Sequence, residues 1–344
     1  MKEDKPTSFD IAYLAGVSQS TVSRALRNSP LVSKETRDKV QSIAKQLNYK
    51  VDINARNLRS KHSNTIALLF CEDPGSGDSL INPFFLSMLG SITRATANRG
   101  YDLLISFQQS SADWQADYED SHRADGIIFL GYGDYVTYSQ RIRKLEQQGA
   151  HFITWGPVLA QQPGVFVGCD NHNGAYRMVK HLLALGRRHI AFIGGADEHC
   201  PEFRERYQGY QHALREAGLA VDPRLQADAE TTEAAGYRAV RQLRGAGLAF
   251  DAVFGASDLI AIGAIKALQE AGISVPGDIA VVGFDDIPTA SYTSPPLTTV
   301  QQDTKVAGEL LVSNLLKLVN GEAVSSQLLP AALIVRGSCG QAAG

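Results

Sequence analysis

Asp10-Ile-Ala-Tyr-Leu-Ala-Gly-Val-Ser18, followed by Gln19-Ser-Thr-Val-Ser-Arg-Ala-Leu-Arg27, is the stretch on which the reading of this chain turns. It has the pattern of helix, tight turn, helix. Ile11, Ala12, Leu14 and Ala15 share one helical face. Gly16 is free to take positive φ and so closes the first helix at its C′ position. Val17 is an apolar plug, and Ser18 caps the second helix with its side-chain oxygen. That helix turns Val22, Ala25 and Leu26 inward and leaves Gln19, Ser20, Ser23, Arg24 and Arg27 outward. Polar hydrogen-bonding groups on the exposed first turns of a short helix suit a DNA major groove. An ordinary αα-hairpin with a solvated face has the same spacing, and this stretch alone does not separate the two.

The residues beyond it do. Val32-Ser-Lys-Glu-Thr-Arg37 opens a third amphipathic helix with Ser33 as N-cap. Val40, Ile43, Ala44 and Leu47 keep helical spacing, and Asn48-Tyr49 ends the helix, which is long enough to cover the first two. With Asp10-Ile-Ala, Ala15-Gly-Val-Ser18, Thr21-Val-Ser-Arg-Ala-Leu26, Thr36-Arg-Asp-Lys-Val40 and Leu47-Asn-Tyr49 all in place, the segment resembles the DNA-binding head of the lac repressor family of bacterial transcription regulators. The resemblance implies that Ser18, Gln19, Ser20, Thr21, Ser23, Arg24 and Asn28 lie on operator DNA, with Gln19, Ser20 and Arg24 reading base edges. Residues 1–9 are expected to fray.

Residues 50–61 are short, polar and basic, and Asp52 is placed to cap a two-turn helix that is too short to be stable alone in water. An inert linker has the same composition. In the resembled family this stretch is a hinge that folds against its twin on DNA. Leu58 then takes the minor-groove wedge position, Ala55 allows close approach of the paired hinges, and Arg59 sits beside the wedge.

Charge agrees with this division. The whole chain has a formal net charge of −3, yet residues 1–62 hold 12 Lys and Arg against 6 Asp and Glu, and the remainder holds 21 against 30. A basic segment joined to an acidic body fits a polyanion binder on a sensor domain. The four cysteines form no CxxC pair, so neither a disulfide framework nor a zinc site is expected. No apolar run reaches the length of a membrane span and Met1–Pro6 has no signal-peptide character, so the expected location is the cytoplasm.

From residue 65 onward, apolar runs alternate with amphipathic stretches. Strands are predicted at 65–70, 101–106, 126–130 and 151–154, with a helix over 83–99. A second set begins near 165, with helices at 173–185, 203–217, 233–244 and 258–271 and strands at 190–193, 252–254 and 279–283. This rhythm implies parallel sheets flanked by helices, in two similar subdomains with a cleft between them. The expected fold is therefore a small all-α helix-turn-helix head on an α/β body of two doubly wound subdomains.

Asn82-Pro-Phe-Phe85, Asp125-Gly-Ile-Ile128, Leu185-Gly-Arg-Arg-His-Ile-Ala-Phe-Ile-Gly-Gly195, Arg206-Tyr-Gln-Gly-Tyr210, Ala256-Ser-Asp258, Val282-Gly-Phe-Asp-Asp286 and Ser294-Pro-Pro-Leu-Thr-Thr-Val300 resemble the periplasmic-binding-protein-like ligand domain (type I) of the same family. By that resemblance the head is 1–50, the hinge 51–61 and the effector-binding and dimerisation domain 62–344. The N-subdomain would comprise about 62–164 and 294–323, and the C-subdomain about 165–293 and 324–338.

The cleft candidates sit at strand ends, where α/β sheets bind ligands. Asp170 and Asp285 follow apolar runs, and Arg206 starts a helix. Carboxylates and a guanidinium make paired hydrogen bonds to hydroxyls. Phe84, Phe85 and Trp155 offer faces to an apolar sugar surface. Asn82 serves either the cleft or the cap of the helix behind it, and Asp285-Asp286 has a turn-capping alternative. Ser257 and Asp258 complete the set by resemblance, although Ser257 stands where many members carry asparagine.

The expected activity is repression of carbohydrate genes by a homodimer, with a tetramer as the larger option, bound to a pseudopalindromic operator. The expected effector is a mono- or disaccharide, with a purine or other metabolite as the alternative, and no other cofactor, metal or membrane is expected. The tail after 336 has no leucine heptad, which favours the dimer. An enzyme is the rival class, but G-x-S-x-G, Walker and H-E-x-x-H patterns are absent, and no catalytic residues are assigned. A sugar-binding transport protein is the third reading, opposed by the head.

Overall fold

A computed structural model describes residues 6–49, 62–71, 81–107, 113–131 and 134–340. The chain divides into two compact units, Met1–Ser63 and Asn64–Gly344. The hinge positions Ala55, Leu58 and Arg59 lie outside the described residues.

The first unit holds three helices, α1 (Ser8–Ala15), α2 (Gln19–Leu26) and α3 (Lys34–Gln46). Helix α1 begins earlier than the expected frayed end. Thr7 caps it in a reciprocal box, with the Asp10 N–H on Thr7 Oγ1 and the Thr7 N–H on Asp10 Oδ2 at 2.7 Å. Those hydrogen bonds hold the Asp10 carboxyl below its ordinary pKa. Gly16 takes φ 69° at the end of α1, and Ser18 and Ser33 cap α2 and α3 as predicted. Ile11, Ala12, Ala15, Val22, Ala25, Val32, Val40 and Ala44 form the core. Leu14 does not join them: it is 53% exposed, because Ile11 and Ala15 already fill the narrow seam of so small a bundle.

The second unit is built on two parallel sheets. The first runs β11-β5-β4-β3-β1-β2, from strands β1 (Thr65–Phe70), β2 (Asp102–Phe107), β3 (Gly126–Leu130), β4 (Phe152–Trp155), β5 (Val165–Cys169) and β11 (Gln327–Leu329). The second runs β7-β6-β8-β9, from β6 (Ile190–Ile193), β7 (Gln226–Ala227), β8 (Ala252–Gly255) and β9 (Ala280–Val282). Strands β10 (Thr299–Gln301) and β12 (Ala332–Ile334) pair antiparallel, and single bridges join Thr298 and Gln301 to Val282 and Asp285 beyond β9. Central strands such as β3 are buried on both faces, which is why they read as unbroken apolar runs. Edge strand β2 leaves Ile105 and Phe107 half exposed.

Helices α4 (Pro83–Ala97), α5 (Tyr135–Gln148) and α10 (Thr304–Val319) accompany the first sheet. Helices α6 (Asn171–Ala184), α7 (Pro201–Glu216), α8 (Glu233–Gly245) and α9 (Asp258–Glu270) accompany the second. Gly308 lets α10 close on α4, since a Cβ there would lie 2.7 Å from that of Ser91.

The sheets place the crossings later than the expected 165, 293 and 324. Strand β5 pairs with β4, so the chain leaves the first sheet only after Cys169. It returns after Gln301, because 298–301 stays beside β9, and leaves again after Leu329, because β11 pairs with β5. Among the described residues no helix is long and apolar enough to cross a membrane.

Candidate functional site

Two surfaces hold the predicted residues, one in each unit. In the first unit, α2 separates its polar side chains into free and committed groups. Ser20 and Arg24 are exposed, and Arg24 has no side-chain partner among the described residues. Ser18 Oγ accepts the Thr21 N–H at 3.2 Å and lies 2.8 Å from both Ser20 Oγ and Thr21 Oγ1, a cap network. Gln19 Nε2 donates to Ser8 Oγ at 2.9 Å and ties α2 to α1. Arg27 folds back on Ser23, donating to its carbonyl and its hydroxyl at 3.1 and 3.0 Å. Asn28 takes φ 57° and accepts from Gln41 Nε2 at 2.8 Å, so it closes α2 onto α3. Tyr13 on α1 is 88% exposed. It was not among the predicted contacts.

In the second unit, a cavity of about 320 Å³ lies where α4, α10 and the loop after β9 meet. Phe84, Ser87, Asp285, Gln302 and Lys305 are among its lining residues. Phe84 stands on Trp155 at a centroid distance of 6.0 Å, and both are almost wholly buried. Phe85 packs edge-on to Phe84 and belongs to the core. Asn82 caps α4, its Oδ1 accepting the Phe84 N–H at 2.9 Å, while its buried Nδ2 has no hydrogen-bond partner among the described residues.

Arg206 is fully buried at the start of α7 and makes the centre of the site. Its Nε donates to Asn171 Oδ1 at 2.9 Å, and one terminal nitrogen donates to the Ala256 carbonyl and sits 3.4 Å from Asp285 Oδ1. The guanidinium lies 3.8 Å over the Phe284 ring. Gln302 Nε2 donates to the same Asp285 oxygen at 2.7 Å. A buried charge needs such a partner set, because desolvation alone outweighs a single ion contact. The cavity offers a hydroxylated ligand the Asp285 carboxylate and the Gln302 amide beside the Phe84 ring, while Arg206 holds Asp285.

Three predicted residues make hydrogen bonds within the body. Ser257 is fully buried and caps α9 by accepting the Ile260 N–H at 3.4 Å. Asp258 is fully buried beneath the loop after β9, bound to Thr299 Oγ1 and the Ile287 N–H. Burial, and then Asp285 beside it, raises its carboxyl well above the usual range. Asp170 caps α6 through the Asn173 N–H at 3.0 Å. Conversely, Asn171, Gln302 and Glu202 were not predicted. Burial pushes the Glu202 carboxyl up to about 7, beside the Cys200 thiol.

Residues 9–52 match the family model "Bacterial regulatory proteins, lacI family", and residues 179–339 match "Periplasmic binding protein-like domain". The chain is 32% identical to the HTH-type transcriptional repressor CytR of Escherichia coli (strain K12), over 98% of this chain and 97% of that one. Among solved structures it resembles the lac repressor dimer bound to operator and the anti-inducer ONPF, with a TM-score of 0.84, 28% identity and 98% and 99% of the two chains covered. It also resembles the complex of the transcriptional regulator CelR with cellobiose, with a TM-score of 0.71, 30% identity and 97% and 99% covered. With helix-turn-helix head, two-sheet body and near-complete alignment all in agreement, the chain belongs to the lacI family of bacterial transcription regulators.

Proposed function

We propose that this regulator represses carbohydrate genes as a dimer on a pseudopalindromic operator and is controlled by a sugar-like effector in the body. The observation that carries the effector assignment is a cavity large enough for a small ligand, lined by Phe84, Gln302 and Asp285, with the buried Arg206 paired to the Asp285 carboxylate. The outward Ser20 and Arg24 on α2 carry the DNA assignment. The lac repressor relative was solved as a dimer on operator, and CelR with cellobiose, which supports both readings here. Residues 51–61 carry the coupling in this reading, because they connect the DNA-binding segment to the body. A ligand shifts operator affinity only through different affinity for two states of the protein. No catalytic step belongs to this reading.

The test has two arms. Selection from a random duplex library should yield a palindromic site, and a thermal-shift panel with cellobiose, ribose and nucleosides should yield a stabiliser, because a ligand that binds the folded state raises its melting point. A selected site without two-fold symmetry overturns the dimeric operator. Stabilisation by nucleosides alone overturns the sugar assignment.

A further inference from the structure

Asp258 stands apart from the other cleft candidates. It opens α9, and both its carboxylate oxygens are taken, Oδ1 by the Thr299 hydroxyl and Oδ2 by the Ile287 N–H at 2.8 Å. Its own N–H donates to the Phe284 carbonyl at 2.8 Å. One residue therefore ties α9, the loop after β9 and β10 together. The loop lies directly on it, since a Cβ at Gly283 would meet Asp258 Oδ1 at 2.3 Å.

That loop holds two non-glycine residues in left-handed backbone, Asp285 at φ 123° and Asp286 at φ 56°. Such conformations persist only where the surroundings over-determine them, and they concentrate at ligand sites. The backbone bond from the Asp285 N–H to the Val300 carbonyl at 2.8 Å holds one side of the loop, and Asp258 holds the other.

We propose that Asp258 is a positioning residue for the effector site: it holds the 284–287 loop so that the Asp285 carboxylate stays on Arg206 and Gln302, and it makes no contact with the effector. The role rests on the assignment of Asp285 to the effector made above. It also explains why Asp258 is fully buried while the cavity next to it is lined by Asp285.

Crystal structures of full-length Asp258→Ala and Asp258→Asn, with sugar titrations followed by thermal shift, test it. Asparagine keeps an acceptor for the Ile287 N–H and offers an amide to the Thr299 hydroxyl, whereas alanine provides neither. In Asp258→Ala, Asp285 is expected to leave its positive φ and to separate from Arg206, and in Asp258→Asn both features stay. For a sugar that stabilises the wild type, such as cellobiose or ribose, affinity should fall about tenfold or more in the alanine variant and recover in the asparagine variant. If the alanine variant does not fold, Asp258→Ser, too short to reach both partners, is read in the same way. An unmoved Asp285 in the variant lacking both ties overturns the proposal, and so does an asparagine variant as weak as the alanine one. If Asp285 moves as expected but Asp285→Ala leaves sugar affinity unchanged, the effector assignment fails while the hold of Asp258 on the loop stands.

Discussion

In the proposed function helix α2 and the loop after β9 both present polar side chains to a partner, and the two elements hold them in opposite ways. On α2, Arg24 and Ser20 stand in water, and what fixes them is local: the Ser18 cap, the Gly16 turn and the apolar face behind. In the loop, Asp285 is nearly solvent-free and is fixed by groups far along the chain, Arg206, Gln302 and Val300. An exposed reader contributes almost nothing to folding, so removing it changes recognition alone. A buried one is part of the fold, so removing it leaves a charge without its counter-ion. Mutations should therefore split binding from stability in the head and fuse them in the body.

The largest expected effect breaks this comparison if it is absent. Arg206→Ala strands Asp285 in a site where both side chains are 1% exposed. Loss of one partner of a buried pair costs about 3–5 kcal/mol. Urea unfolding should show a loss of that order, together with loss of any effector response. A variant of wild-type stability that still ignores the effector would mean that the pair is functional only, and that the cleft behaves like the head.

Arg24→Ala is the converse case. It should lower affinity for the selected operator by roughly 1–3 kcal/mol and relax specificity at one position per half-site. Its unfolding midpoint should stay that of the wild type, since the side chain is exposed and unpartnered among the described residues. Equal weakening on random DNA would reduce Arg24 to a phosphate contact.

The same contrast governs what could be read in advance. The turn at Gly16 and the caps at Ser18 and Ser33 were legible because each depends on residues within one helical turn. The apolar runs of β1 and β3 were legible because burial on both faces leaves a plain signature. The allegiance of β5 was not, since Val165–Cys169 is as apolar as its neighbours and only pairing with β4 and β11 assigns it to the first sheet. Arg206 and Asp285 were singled out from motif position, and the structure pairs them. Asp258 was read by resemblance as an effector contact, and its bonds to Thr299 and Ile287 could not be read then, because those partners are remote in sequence. Asn171 and Gln302 were missed for the same cause, amides being silent until the fold places them.

Ser18→Ala sharpens the head side of the comparison. It removes the oxygen that accepts the Thr21 N–H and should cost the head about 1 kcal/mol. Since the same change frees Ser20 and Thr21 from the cap network, operator affinity should fall only as far as stability does. A much larger fall in affinity would make Ser18 a direct DNA contact.

The smallest effect belongs to an ion pair at the rim of the body. His151 Nδ1 lies 3.0 Å from Glu119 Oε2, and the other carboxylate oxygen accepts the His151 N–H at 2.7 Å. The hydrogen bond to Glu119 raises the imidazole pKa against a smaller opposing effect of burial. A folded value above the unfolded one means that the folded state binds the proton more tightly. The stabilisation is therefore complete below the ordinary histidine pKa of 6.5 and is lost as pH rises through the raised value. The side chain is 39% exposed, so screening keeps the effect small. Glu119→Gln should thus narrow the stability gap between about pH 6 and pH 8 that the wild type shows in urea titrations, without touching operator binding. An unchanged gap would assign the pH dependence to other groups.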